Sequence, residues 1–99
     1  MKNTKWMKEM TSAELAEAIK NGTDTVIIPG GAYEVYGPQL PLGSDTIVSL
    51  AVCERVAAKT NAIIGPCFEV GESASLYQFP GTIKIMPDTY YSVMEDIID

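Results

Sequence analysis

The chain of 99 residues contains no histidine. Without histidine these residues do not form the Ser-His-Asp arrangement of many hydrolases, and Ser73 is a weak nucleophile candidate because a serine hydroxyl needs a base beside it. The two cysteines, Cys53 and Cys67, form no Cys-x-x-Cys pattern. We therefore expect neither a metal knuckle nor a redox-active pair, and we predict that both thiols are reduced.

Basic residues and long apolar runs are scarce as well. Seven Lys and Arg residues stand against thirteen Asp and Glu residues, which gives a net charge of −6. No basic cluster is present to neutralise phosphates, so nucleic acid is not an expected partner. No apolar run approaches the roughly 20 residues of a membrane span, and residues 1–7 lack the apolar core of a secretion signal. These absences predict a cytoplasmic protein that binds neither nucleic acid nor membrane.

The overall composition, 46% hydrophobic and 20% charged, is that of a globular protein. The length allows one domain at most, and we predict a single domain over residues 1–99. A helix that begins at Pro87-Asp88 carries an apolar stripe and still has no stop signal at Asp99. We therefore expect this domain to be incomplete, either because the chain is a fragment or because a partner completes it. The stripe consists of Tyr90, Val93, Met94 and Ile97.

Local patterns predict an α/β chain. Thr11 and Glu14 form a capping box, which predicts a helix with an apolar stripe of Leu15, Ala16 and Ile19 that ends at Asn21-Gly22. Residues 25–29 and 61–66 are short β-branched runs, typical of strands that are covered on both faces. The segment between them predicts a helix that Ser44 or Asp45 caps and that runs to about residue 59. Since this helix is apolar nearly all round, we expect burial on more than one side.

The order strand, helix, strand predicts a right-handed parallel crossover. Downstream, residues 67–81 form a second irregular stretch. Residues 82–86 alternate between apolar and polar side chains, which predicts a third strand with one less buried face.

A loop over residues 29–45, rich in glycine and proline, connects the first strand to the second helix. Long structured loops in compact domains are usually functional, and open α/β sheets place their sites at the carboxyl ends of strands. Glu34 and Asp45 lie in this loop and are candidates for metal ligands or for acid–base chemistry. Carboxylates suit Mg²⁺ and Mn²⁺ or, together with imidazole, Zn²⁺. The alternative is that Asp45 only caps the helix and Glu34 is solvated in a turn.

Other polar residues of the two loops are candidates for contacts with a ligand. Tyr36 and Gln39 provide hydrogen-bonding groups to the same loop, although a tyrosine more often packs its ring. In the second loop the polar candidates are Glu72, Ser73, Ser75, Tyr77 and Gln78.

The first loop reads Glu34-x-Tyr36-Gly37-Pro38-Gln39-Leu40-Pro41-Leu42-Gly43-Ser44-Asp45. This order resembles the signature of the creatininase (creatinine amidohydrolase) family, Glu-x-His-Gly-x-His-Leu-Pro-x-x-Thr-Asp. The second loop resembles the family's second motif, Gly-x-Ser-x-x-His-x-x-Phe-Pro-Gly-Thr, because it contains Gly71-x-Ser73 followed by Phe79-Pro80-Gly81-Thr82. The resemblance extends over residues 11–99, in the order and spacing of the family.

The resemblance implies a partial α/β sandwich with a mostly parallel sheet flanked by helices, and a homo-oligomer. It also implies two divalent metals, zinc or manganese, and hydrolysis of cyclic amides and related C–N bonds or opening of a keto-inositol ring. On this chain Glu34 would be a terminal ligand of one metal, and Asp45 would bridge both. A small-molecule substrate would lie against Gly71, Ser73 and Gln78.

The chain departs from the family at three histidine positions, which are occupied by Tyr36, Gln39 and Leu76. Neutral tyrosine is a poor zinc ligand in place of imidazole. The leading hypothesis is the amino-terminal part of a metal-dependent hydrolase that acts on a small cyclic amide or related ring. The alternative is a catalytically inactive creatininase-like subunit or small-ligand-binding protein, and a third possibility is a truncated product without a stable fold of its own.

Overall fold

A computed structural model describes residues 4–73 and 76–99 of the chain. It contains the helices α1 (Ser12–Lys20), α2 (Ser44–Ala58) and α3 (Pro87–Ile98) and the strands β1 (Val26–Ile27) and β2 (Ile63–Ile64). A short 3-10 helix, Met7–Glu9, precedes them. The fold class is therefore α/β, as predicted.

The chain forms two compact units. The first unit comprises Met1–Pro29 and Val48–Cys67, and the second comprises Gly30–Ile47 and Phe68–Asp99. Both predicted motifs lie in the second unit. None of the helices in the described ranges is long and apolar enough to cross a membrane.

The predicted capping box starts α1 in the first unit. The Glu14 backbone N–H donates to Thr11 Oγ1 (3.1 Å), and the Thr11 N–H donates to the Glu14 carboxylate (2.9 Å). The helix ends at Asn21, as predicted. Its apolar stripe is not buried, however, because Leu15 is only half-buried and Ile19 is 59% exposed.

Replacing Thr11 with alanine should lower the free energy of unfolding by about 1 kcal/mol, because the Glu14 N–H in the first turn of α1 then loses the hydroxyl that accepts its hydrogen bond. The neighbouring substitution Ser12→Ala is the control. Ser12 is exposed at the first helical position, so its loss should change stability by less than about 0.5 kcal/mol. Urea unfolding of both variants measures the difference, and equal effects would contradict the capping assignment.

The sheet of the first unit is parallel, as predicted. Val26 pairs with Ile63 and Ile27 with Ile64. On the other edge of β2, Ile64 forms a parallel bridge with Trp6, and its N–H donates to the Lys5 carbonyl (2.7 Å). Ile64 is therefore the centre of the sheet, and its side chain is 1% exposed.

The core of the first unit is small. Cys53 and Ala57 of α2 pack with Ile64, and Trp6 and Ile27 cover the cluster from outside. The small side chains on this stripe of α2 let the helix lie close to β2.

Two predictions of burial were wrong. Val26 is 48% exposed, so β1 is not covered on both faces. On α2, Val48, Val52 and Val56 are 61%, 53% and 44% exposed, so this helix is buried along one stripe only. The physical reason is that the described residues of the first unit pack against only one side of α2. The apolar composition of the helix would allow packing on several sides.

The predicted strand over residues 82–86 was also wrong. Only Lys84 forms an isolated parallel bridge, with Gly71. The Thr82 N–H donates to the Phe79 carbonyl (3.3 Å), which keeps Thr82 in a turn, and α3 begins at Pro87 with Met86 as its N-cap. Too few extended residues remain between the turn and the helix for a ladder. On α3, Tyr90 and Met94 are half-buried, whereas Val93 and Ile97 are exposed.

Candidate functional site

The second unit brings the two predicted motifs together through its backbone. The loop that contains Glu34 lies along residues 68–85, and three hydrogen bonds join the two segments. They are Gly31 N–H to Phe68 O (2.7 Å), Ile83 N–H to Tyr33 O (2.8 Å) and Val35 N–H to Thr82 Oγ1 (3.0 Å). A further bond, from the Ile85 N–H to the Gly71 carbonyl (2.9 Å), lies within the second segment and fixes its shape.

Glu34 is held from both sides by these bonds. Its neighbours Tyr33 and Val35 are bonded to the second loop, and its own N–H donates to the Leu42 carbonyl (3.2 Å). The residue is half-buried. The backbone of Glu34 is therefore fixed by the fold.

Asp45 lies in the first turn of α2 and is half-buried. The helix begins at Ser44, whose hydroxyl donates back to the Pro41 carbonyl (2.7 Å), and the Ile47 N–H donates to the Gly43 carbonyl (2.9 Å). The prediction that Ser44 or Asp45 caps the helix was wrong, because Gly43 is the residue before the first turn. A carboxylate in the first turn still interacts favourably with the helix dipole.

Tyr36 and Gln39 lie between the two carboxylates along the chain. Tyr36 is 49% exposed and Gln39 is exposed. Gly37 has a positive φ of 79°, which turns the loop between them. Both side chains are therefore open to a ligand or to solvent.

The predicted pocket residues of the second loop differ in their exposure. Gly71 is buried and Ser73 is 3% exposed, whereas Gln78 is exposed. Leu76 is half-buried, and its N–H donates to the Ser73 carbonyl (3.0 Å). Ser75, also a predicted polar candidate, lies outside the described residues. The second loop thus offers Gly71 and Ser73 as its buried part and Gln78 as its outer part.

Thr46 is a residue that the sequence did not single out. Thr46 is 5% exposed. Within the described residues, neither its Oγ1 nor the Oγ of Ser73 has a hydrogen-bond partner. An added Cβ at Gly31 would lie 2.7 Å from the Thr46 backbone nitrogen, so the first loop and the start of α2 are in close contact. The available signal was a hydroxyl residue directly after Asp45 in the first turn of a helix.

The second unit is strongly acidic. Its sequence contains one basic residue, Lys84, whose Nζ lies 4.3 Å from the centroid of the Tyr77 ring. Its acidic residues are Glu34, Asp45, Glu69, Glu72, Asp88, Glu95, Asp96 and Asp99. An excess of negative charge favours cations over anions near this unit.

These residues do not build a complete metal centre. Over residues 4–73 and 76–99, no three or more His, Cys, Asp or Glu side chains are grouped so that they could hold a metal ion. Glu34 and Asp45 supply two carboxylates, which is fewer than the three or four protein ligands typical of a catalytic site. The donor set of the described residues therefore does not fit a metal pair.

Comparison with known proteins gives a consistent result. The family model for creatininase (creatinine amidohydrolase) matches residues 8–99. A creatinine amidohydrolase of Pseudomonas putida is 28% identical over 99% of the chain, and a 3-dehydro-scyllo-inosose hydrolase of Thermotoga maritima is 28% identical over 94% of it. A mycofactocin precursor peptide peptidase of Mycobacterium tuberculosis is 31% identical over 78% of the chain. The chain spans 40%, 30% and 34% of the lengths of these relatives.

Solved structures agree with the sequence relatives. A creatinine amidohydrolase (creatininase) crystal structure superposes on 98% of the chain with a TM-score of 0.91 at 26% identity, and the match covers 39% of that protein. A creatininase variant described as "Zn-Zn type" superposes with a TM-score of 0.90 at 27% identity, over 98% of this chain and 40% of that one. A third is named "Creatininase Mn" and has a TM-score of 0.90 at 27% identity, over 97% and 39%.

Proposed function

The chain belongs to the creatininase family, and from this premise we propose that it is the amino-terminal part of a hydrolase acting on a small cyclic amide or a related ring. The observation that carries the proposal is the hydrogen-bonded pairing of the Glu34 loop with the segment that contains Gly71 and Ser73. Two carboxylates and a buried hydroxyl belong to the same compact unit. The relatives support the reaction class, because all three are named for hydrolytic activities.

Each group of this site has a role in the proposal. Glu34 and Asp45 are the negatively charged groups that bind a cation or exchange a proton with the substrate. Gly71 has no side chain, and an added Cβ would lie 3.3 Å from the Gly31 carbonyl oxygen, so its role is to let the two loops approach each other closely beside the substrate. Ser73 offers a hydrogen bond from the buried side, and Gln78 offers one from the outer side.

Metal dependence is part of the proposal and is supported by the names of the neighbours, which include manganese and zinc. A divalent metal would polarise the bond under attack and activate water. Since Glu34 and Asp45 fall short of a metal centre, the other ligands would have to come from polypeptide other than the described residues. We therefore also propose assembly with further copies or further chain, in the cytoplasm and with a small-molecule substrate.

The test of this proposal is Glu34→Gln in the protein as it occurs in its source cell. Turnover of creatinine, of a simple lactam or of a keto-inositol should fall about tenfold or more, because the amide keeps the size of the side chain but loses its negative charge. Glu69→Gln is the matched control, since Glu69 is an exposed acid of the same unit and its change should leave turnover within about twofold. Full turnover in the Glu34→Gln variant would refute the assignment.

A second candidate function is an inactive subunit that binds a small ligand. The observation in its favour is Leu76, a side chain without any donor at one of the three departing positions, together with the incomplete metal centre. Under this hypothesis the natural protein turns over none of the three substrates. Ligand binding, measured by calorimetry, should then survive Glu34→Gln.

A further inference from the structure

Apart from the thioether sulfurs of Met86 and Met94, the second unit offers only oxygen donors to a metal ion. The chain contains no histidine, and both cysteines belong to the first unit. The donors of the candidate site are the carboxylates of Glu34 and Asp45, the amide oxygen of Gln39 and hydroxyl groups. The polar side chains of this unit contain no imidazole and no thiolate. Their only nitrogen atoms are the ammonium group of Lys84 and side-chain amide nitrogens, which are not metal ligands in their usual protonated state.

This donor set has a consequence for metal choice. Zinc in proteins is held mainly by imidazole and thiolate, with carboxylate as a supplement. Magnesium and manganese suit carboxylate, carbonyl and water oxygens. Zinc binds more tightly than manganese mainly at sites with nitrogen and sulfur ligands, and this advantage is reduced at the candidate site, whose named donors are all oxygen atoms.

The buried hydroxyls are compatible with a hydrated cation. Thr46 and Ser73 are 5% and 3% exposed, and among the described residues their oxygens have no hydrogen-bond partner. Thr46 directly follows Asp45 in the first turn of α2. Hard cations keep several of their waters when they bind, and unpaired buried hydroxyls are suitable partners for such waters.

We infer that this unit does not hold a zinc pair like that of the solved "Zn-Zn type" neighbour, and that Zn²⁺ has no selective advantage over Mn²⁺ in it. The inference concerns metal choice at the site of the proposed function, and it rests on that function only for the assignment of Glu34 and Asp45. It does not depend on turnover. The cause is the oxygen-only donor set at and around Tyr36, Gln39 and Leu76.

Metal titration of the chain tests the inference. Calorimetry with Zn²⁺ and with Mn²⁺ should show either no detectable binding of both metals or dissociation constants within about tenfold of each other, and a zinc chelator of micromolar affinity should strip any bound zinc. Because the exposed thiol of Cys67 can itself bind zinc, all titrations are carried out in a Cys67→Ser background. Zinc bound at least about a hundredfold more tightly than manganese, or retained against the chelator, would overturn the inference.

A substitution that restores imidazole makes the test specific. Tyr36→His places a nitrogen donor two residues from Glu34, and zinc affinity should rise about tenfold or more while manganese affinity changes little. Tyr91→His is the matched control, because Tyr91 is exposed on α3 of the same unit and should give no rise. An unchanged zinc affinity in Tyr36→His would also overturn the inference. Because the readout is binding, failure of the proposed hydrolase activity is distinguishable from failure here.

Discussion

Replacing Gly31 with alanine is expected to lower the free energy of unfolding by about 3 kcal/mol, the upper part of the range for overpacking. The added Cβ would overlap the Thr46 side chain and lie 2.7 Å and 2.8 Å from the Thr46 backbone nitrogen and Cα. These are backbone atoms in the first turn of α2, so no side-chain rotation relieves the overlap. The loop and the start of the helix must separate, which also moves Asp45 away from the Glu34 loop.

Gly30→Ala is the control for this prediction, since it makes the same chemical change one residue earlier. An added Cβ at Gly30 meets nothing within 4 Å, and stability should stay within about 0.5 kcal/mol of the native chain. Hydrogen exchange gives a second readout. The Ile83 and Val35 amides, which bond to the other loop in the native chain, should lose protection in Gly31→Ala only. Equal stability and protection in both variants would show that the close approach is not required.

Ile64→Ala should lower the free energy of unfolding by about 3 kcal/mol, as expected for truncation of a buried isoleucine. Ile64 is 1% exposed, lies between Trp6 and β1 in the sheet, and packs against Cys53 and Ala57. In so small a core, few neighbours can move into the vacated space. Trp6, the single tryptophan, packs on this cluster, so its fluorescence reports the unfolding transition in urea.

The matched control is Ile19→Ala on α1. Ile19 belongs to the same unit but is 59% exposed, and alanine is the better helix former. Stability should therefore change by less than about 0.5 kcal/mol or rise slightly. A loss in Ile19→Ala comparable to that in Ile64→Ala would mean that the apolar stripe of α1 is buried in solution.

The exposed valines of α2 explain why burial was the least successful prediction. A helix that is apolar nearly all round predicts cover on several sides, yet only Cys53 and Ala57 are buried in its first-unit part. The amino-acid composition of α2 shows how much apolar surface the helix can bury. The segments of the chain that pack against the helix determine how much of that surface is buried.

The identity of some candidate site residues could be predicted from the sequence, whereas their contacts could not. Glu34 and Asp45 could be chosen from their type and place in a glycine-rich loop. The hydrogen bonds of Tyr33 and Val35, which fix the backbone on either side of Glu34, could not be predicted. Their partners, Ile83 and Thr82, are almost 50 positions away along the chain. Thr46 was missed for the same reason, since its burial follows from the approach of Gly31.

The sequence by itself determined the approximate helix boundaries, the parallel order of β1 and β2, the family and the lack of imidazole and thiolate donors in the second unit. Helix ends depend on bonds between residues three or four positions apart, such as those of Thr11 with Glu14, and donor chemistry depends on residue type alone. Only the tertiary structure decided which face of α2 is buried, that residues 82–86 form no strand, and that the two motifs lie side by side. These features depend on contacts between segments that are distant along the chain. The free energy of such contacts cannot be inferred from a local pattern of residues.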